Sequence, residues 1–166
     1  MASTARKTQE KRRETPAKSS PADRLVLEKF LPYRLSILSN RVSSAIAQRY
    51  AKEFDLTIPE WRVIAVLGRH DHLTATQICD ATEMDKVAVS RAVARLSSAK
   101  RIVGEADPND ARRQLLALTP AGIALHAKIA PLALETERRL LATLDVGKRA
   151  QLDALLDHLL EAATRL

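Results

Sequence analysis

With 166 residues the chain suffices for one domain with a real core, or for a small module set in a helical oligomerisation scaffold, and is too short for two large domains. Four glycines, 3% aromatic residues and abundant Ala, Leu, Arg and Glu favour helix, argue against a sandwich or barrel, and leave little from which to build the stacking platforms of single-strand binders. The net charge of +7 suits a polyanion, either duplex nucleic acid or an anionic membrane, and the lone Cys79 excludes an internal disulfide and cannot make a zinc site by itself.

Residues 1–21 are polar, rich in Lys, Arg, Ser and Thr, and carry Pro16 and Pro21, so a disordered basic arm is expected there, either a solvated extension or an arm that touches DNA. They contain no apolar leader core, and no later run approaches the ~18 apolar residues of a membrane span. A cytoplasmic protein with no membrane partner is the expectation. From Asp23 to Phe54 the apolar residues Leu27, Phe30, Leu31, Leu35, Leu38, Val42, Ala45 and Ile46 recur at helical spacing. This predicts one long helix, or two turns and a kink near Pro32, with a stripe long enough to need a partner subunit. Thr57, Pro59 and Glu60 have the form of a second helix start, over 60–69, that buries Val63, Ile64 and Leu67.

Gly68 and His70-Asp71-His72 break that pattern. Thr74 and Gln77 form a capping box for a short helix carrying Ile78, Thr82-Glu83-Met84 makes a tight turn, and Asp85 N-caps a helix over 86–99. Ile102-Val103, a polar hinge over 107–113 and an apolar run over 115–118 predict a hairpin with a long, basic-tipped loop. Thr119-Pro120 opens a helix to about Leu144, interrupted near Pro131; Val146-Gly147 punctuates it; and Leu152, Leu155, Leu156, Leu159 and Leu160 line a last helix that packs on another helix.

Short helix, tight turn, longer helix and arginine-tipped hairpin is the order of a winged helix-turn-helix. The fold class expected is mostly α with a small β-hairpin wing, the winged lobe spanning 57–119 and the helical dimerisation region 22–56 and 120–166. At 100° per residue, Val89, Ala92, Val93 and Leu96 face the domain while Val87, Arg91, Ala94 and Ser98 face outward, flanked by Ser90 and Arg95. Small residues permit close approach to a groove, and Arg91 can address guanine O6 and N7 together, with Lys86, Ser90 and Arg95 as phosphate contacts. In the hinge, Asp110 can pair with a neighbouring guanidinium and orient Arg112 or Arg113 toward a narrow minor groove. The bland alternatives are a solvated helical face and a surface loop with incidental charges.

The segments Leu73-Thr-Ala-Thr-Gln-Ile78, Met84 through Leu96, Asp107-Pro-Asn-Asp-Ala-Arg-Arg113 and Leu118-Thr-Pro-Ala-Gly122 resemble, as an ordered set, the MarR family of bacterial regulators, over about residues 25–166. The resemblance implies a homodimer held by its first and last helices, with two recognition helices in successive major grooves of a pseudo-palindromic duplex and Arg112 in the adjacent minor groove. Members commonly leave DNA when a small, often aromatic or acidic molecule enters between dimerisation helices and lobe. Tyr33, Arg34, Ile37, Arg41, Trp61 and Arg62 combine apolar walls with cations and are the candidate lining here, with Trp61 as core and Arg34 or Arg41 as intersubunit ion-pair partners the alternatives. The texture around Trp61-Arg62 and Met84-Asp85-Lys86 is similar to members responsive to aromatic acids, including hydroxycinnamoyl-CoA thioesters. Where the family commonly has glycine after the recognition helix this chain has Lys100, which leaves the conformation of that turn open.

Cys79 is expected as a small buried hydrophobe, with a redox switch as the alternative. His70, Asp71 and His72, with His126 and His158, lack metal-ligand spacing and read as polar surface. No phosphate-binding glycine loop, nucleophile elbow or HExxH occurs, so no catalytic residue and no cofactor is expected. A non-specific architectural DNA binder is the other reading of the charge.

Overall fold

The computed structural model describes residues 25–108 and 110–166, without the side chains of 111 and 112; the basic arm at 1–21 lies outside the described residues. The chain separates into two units, Met1–Ser36 and Ile37–Leu166. In the first, Leu27–Lys29 form a single 3-10 turn whose N-cap Val26 offers no side-chain acceptor. Helix α1 then starts at Leu31 with Pro32 in its first turn, where a missing N–H costs nothing, and runs to Phe54. Neither sequence reading is met in full: one 3-10 turn stands in place of two turns, and the break falls at Phe30, with Pro32 inside the first turn of α1.

Within the second unit, the chain leaves α1 through Asp55 in the left-handed region (φ 46°) and enters α2 (Ile58–Leu67) at Thr57. Helix α3 (Ala75–Thr82) starts at Thr74 and α4 (Lys86–Ser98) at Asp85, each capped by its own side chain as expected. Glu83 between them turns with φ 52°. Strands β1 (Ile102–Asp107) and β2 (Asp110–Leu118) pair antiparallel, and Leu73 adds a bridge to Leu116 through two backbone hydrogen bonds of 3.1 and 2.8 Å. Helix α5 (Pro120–Leu141) follows Thr119, whose hydroxyl accepts from Gly122 N, and α6 (Val146–Ala163) follows Asp145.

The core is built where these elements meet. Tyr50, Leu56, Val63, Ile64, Leu67, Ile78, Val89, Ala92, Leu96, Ile102, Leu116, Leu125 and Ile129 form one buried cluster from α1, α2, α3, α4, the hairpin and the first half of α5. Only aliphatic residues and one tyrosine fill it, as the poverty in aromatics requires.

Three expectations need correction. The hinge is not a long loop: pairing continues to Asp107 opposite Asp110, and 110–113 belong to β2. Polar side chains carry no strand signal when both faces of a ribbon meet solvent, so alternation could not reveal it. The second correction is that α5 passes through Pro131 unbroken, since one lost N–H is tolerated when the turns on both sides are packed. Last, Val146-Gly147 is not a break but the first turn of α6, held by Asp145 Oδ1 accepting from Lys148 N at 2.8 Å; the break lies just before it.

Candidate nucleic-acid interface

The geometry that could read DNA begins with how α4 is seated. Val89, Ala92 and Leu96 are at most 3% exposed and Val93 is half-buried, so one side of the helix is fixed to the core. The opposite side carries Lys86, Val87, Ser90, Arg91, Ala94 and Ser98, all exposed, and Val87 leaves 58% of its surface in solvent. Asp85 Oδ1 accepts from Ala88 N at 2.8 Å, ordering the first turn from which Lys86 and Val87 project.

The tip of the hairpin is built differently. Between the pairs Ala106–Gln114 and Asp107–Asp110 the register shifts, so residues 111–113 on β2 have no residue opposite. Such a bulge bends a strand and re-aims its side chains. Arg113 is exposed and its Nε lies 3.4 Å from Asp110 Oδ2, the pairing expected from the sequence; the Arg112 side chain lies outside the description. An open cavity of about 600 Å³ lies between the root of this wing and the start of α3, lined by His72, Thr74, Gln77, Asp107, Arg113 and Gln114 among others.

Arg95 is placed otherwise than as a simple phosphate contact. Its Nε sits 2.7 Å from Oε1 of Glu60, whose side chain is only 3% exposed. The start signal at Thr57, Pro59 and Glu60 gave no sign of this, because nothing local links positions 60 and 95. Lys100 adopts φ 54°, the left-handed conformation for which glycine is best suited, so the turn after α4, left open by the sequence, takes the shape glycine favours with a residue that strains it.

Of the residues considered for a ligand, Tyr33 and Arg34 belong to the first unit and are exposed, while Ile37, Arg41, Trp61 and Arg62 belong to the second. Arg41 lines an open surface cavity of about 360 Å³ along α1 with Asn40, Ser44, Ala45 and Gln48. Trp61 packs between two other rings, Tyr50 at 6.0 Å and a stacked His126 at 5.8 Å, so one side of its indole is spent on the core. Gly68 makes room for that imidazole, since a Cβ there would lie 2.6 Å from it. Burial pushes the Tyr50 hydroxyl up to about 12; the nearby Arg62 charge opposes this and Glu60 reinforces it. Cys79 is half-buried and lines a cleft of about 370 Å³ between α3 and α4 with Thr76, Lys86 and Ser90. Among the described residues there is no helix long and apolar enough to cross a membrane and no cluster of three metal-ligating side chains.

The MarR family profile matches residues 54–113, the stretch from the end of α1 to Arg113. The HTH-type transcriptional repressor NicR of Pseudomonas putida is 25% identical over 119 residues, covering 72% of this chain and 75% of that protein. A MarR/EmrR family transcriptional regulator from Acinetobacter sp. ADP1 superposes with a TM-score of 0.77 at 27% identity, over 86% of this chain and all of that one. S. aureus MepR, solved as a complex with DNA, superposes with a TM-score of 0.73 at 26% identity over 81% of this chain and 98% of that one. The matched segment is the lobe that holds α3 and α4 and reaches into the wing, and the surrounding helices superpose with whole regulators: residues 54–113 form a MarR family domain of winged helix-turn-helix fold, and the proteins the chain resembles are transcription regulators, not enzymes.

Proposed function

We propose that the protein is a cytoplasmic, homodimeric repressor that binds a pseudo-palindromic duplex and is released from it by a small aromatic or acyl-CoA type ligand. The observation that carries the DNA reading is the face of α4, where exposed Lys86, Val87, Ser90 and Arg91 stand on a helix whose other side is locked into the core. Two such helices related by a two-fold axis address half-sites about one helical turn apart (~10 bp). Arg91 reads guanine, Val87 meets a thymine methyl, Lys86 and Ser90 hold phosphates, and Asp110 with Arg112 and Arg113 carries the wing to the minor groove. The repressor NicR and the DNA bound to MepR support repression and duplex binding.

Homodimerisation is supported by the apolar surface on the terminal helices, where Leu155, Leu156, Leu159 and Leu160 are 38–68% exposed. For the ligand, Ile37, Arg41, Trp61 and Arg62 of the second unit offer apolar walls and guanidinium groups suited to an anionic aromatic molecule. Ligand weakens binding only by its differential affinity for the DNA-competent and DNA-incompetent spacings of the two α4 helices.

The test is titration of the purified protein against the intergenic duplex upstream of its own gene and a scrambled duplex, with and without aromatic acids and their CoA thioesters. Selective binding relieved by one compound is expected. Equal binding to both duplexes would mean an architectural protein, and selective binding that responds only to oxidant and vanishes in Cys79→Ser would replace the ligand by a redox switch. In the same assay Arg112→Ala should weaken the complex with no change in fold; unaltered affinity removes the wing from the interface.

A further inference from the structure

Glu60 occupies the third position of α2 and is 2% exposed, the one buried charged residue in the described core. Both of its oxygens are spoken for. Oε2 accepts from the backbone N and from Oγ1 of Thr57, each at 2.7 Å, while Oε1 lies 2.7 Å from Nε of Arg95 in the last turn of α4. Arg95 Nη2 also approaches Asp55 Oδ2 at 3.7 Å. A second tie follows six residues later, where Arg101 Nη2 donates to the carbonyl of Phe54 at 2.6 Å. The C-terminal end of α4 and the turn after it are thus bound at two points to the junction of α1 and α2.

Packing through Val89, Ala92 and Leu96 seats α4 on the core, and because aliphatic contacts are non-directional a directional bond at its C-terminal end sharpens that seating. A charge-assisted bond from a buried carboxylate is directional, and it leaves the helix only one turn beyond Arg91. We infer that Glu60 and Arg95 form a positioning pair that sets the roll of α4, and hence the aim of Arg91, without either touching DNA. This rests on the reading of α4 as the DNA-reading helix.

The pair is tested with the duplex that the wild-type protein selects from a randomised pool, against a scrambled duplex, for Glu60→Gln, Arg95→Gln and the double variant. Glutamine at 60 keeps an oxygen for both Thr57 donors, so the cap of α2 survives while an amide N–H faces Arg95. Each single variant should lose about tenfold on the selected duplex and nothing on the scrambled one, and the double variant should lose no more than either single. The slope of log K against log salt should stay unchanged, because no phosphate contact is removed. Should Glu60→Gln fail to fold, Arg95→Gln at its exposed position decides by that slope. Losses by Arg95→Gln on both duplexes with the slope reduced by about one would make Arg95 a phosphate contact and overturn the inference. Wild-type behaviour of both folded variants would also overturn it. In the free protein, the Arg95 Nε–H should exchange slowly with solvent and lose that protection in Glu60→Gln; rapid exchange in the wild type means that no such pair exists. A wild-type protein that selects no sequence removes the reading of α4 itself, which the exchange measurement distinguishes from failure of the pair.

Discussion

The lobe from Thr57 to Thr119 and the last helix, α6, are made from similarly aliphatic sequence and end up in opposite states. In the lobe, three helices and a hairpin bury Val63, Ile64, Leu67, Ile78, Val89 and Leu96 to 1% exposure or less. In α6 no residue is buried, and Leu155 and Leu160 are 61% and 68% exposed. The lobe's core is therefore closed within the described chain, completed by Tyr50 of α1 and Leu125 and Ile129 of α5, whereas α6 is a helix whose apolar surface is unspent within the described chain. An isolated helix of 18 residues is marginal in water, so the stability of α6 has to come from a surface that packs on it. Under the homodimer reading that surface is a second copy.

The sharpest way to break this closed core is at Gly122, where α5 meets the lobe. A Cβ there would lie 2.0 Å from the carbonyl oxygen of Arg101, which Thr119 already engages from its backbone N and its hydroxyl. Backbone cannot yield as a flexible side chain can, so Gly122→Ala should destabilise the lobe by on the order of 3 kcal/mol in urea unfolding. A loss below about 0.5 kcal/mol would show that the junction of wing and α5 is not rigid.

The counterpart for α6 is Leu156→Lys with Leu159→Lys. Both positions are about 40% exposed in the single chain, so the substitutions leave the lobe intact while placing charge in the proposed interface. Sedimentation should show dimer dissociation raised on the order of a hundredfold, with selective DNA binding lost in step. An unchanged association state would move the dimer contact off α6.

Smaller effects separate strain from packing within the lobe. Lys100 at φ 54° carries a Cβ penalty that glycine lacks, so Lys100→Gly should raise stability by about 0.5–1 kcal/mol, seen as a higher thermal midpoint. A fall would mean that the lysine makes a compensating contact in solution. Tyr50 is fully buried and its hydroxyl has no hydrogen-bond partner among the described residues, so Tyr50→Phe should cost nothing or stabilise slightly. Burial lifts that hydroxyl from 10.0 to about 12, so the fold favours the neutral phenol. The contribution is complete below pH 10 and is lost as the pH rises through 12, and the phenylalanine variant should lack that alkaline decline. Equal decline in both proteins would assign it to other groups.

What the sequence revealed and what it hid follows from distance along the chain. The caps at Thr57, Thr74, Asp85 and Thr119 are patterns three residues long, and the exposed face of α4 follows from 100° steps, so both could be read directly. The bond from Glu60 to Arg95 joins two helices, and the bridge from Leu73 to Leu116 joins a loop to the wing; no local rule reaches across such spans. The setting of Trp61 was hidden for the same reason, since its ring neighbours Tyr50 and His126 come from α1 and α5. Periodicity located the leucines of α6 but could not say that nothing in the described chain buries them.

The central claim is that α4 reads sequence, and Arg91 tests it most directly. The measurement is the ratio of affinities for the selected and the scrambled duplex, for the wild type and for Arg91→Ala at one salt concentration. The account expects a wild-type ratio of ~10³ or more, and a ratio reduced about 10- to 100-fold in the variant through loss on the selected duplex alone. A ratio that Arg91→Ala leaves unchanged, whether by equal losses on both duplexes or by no loss at all, would contradict it.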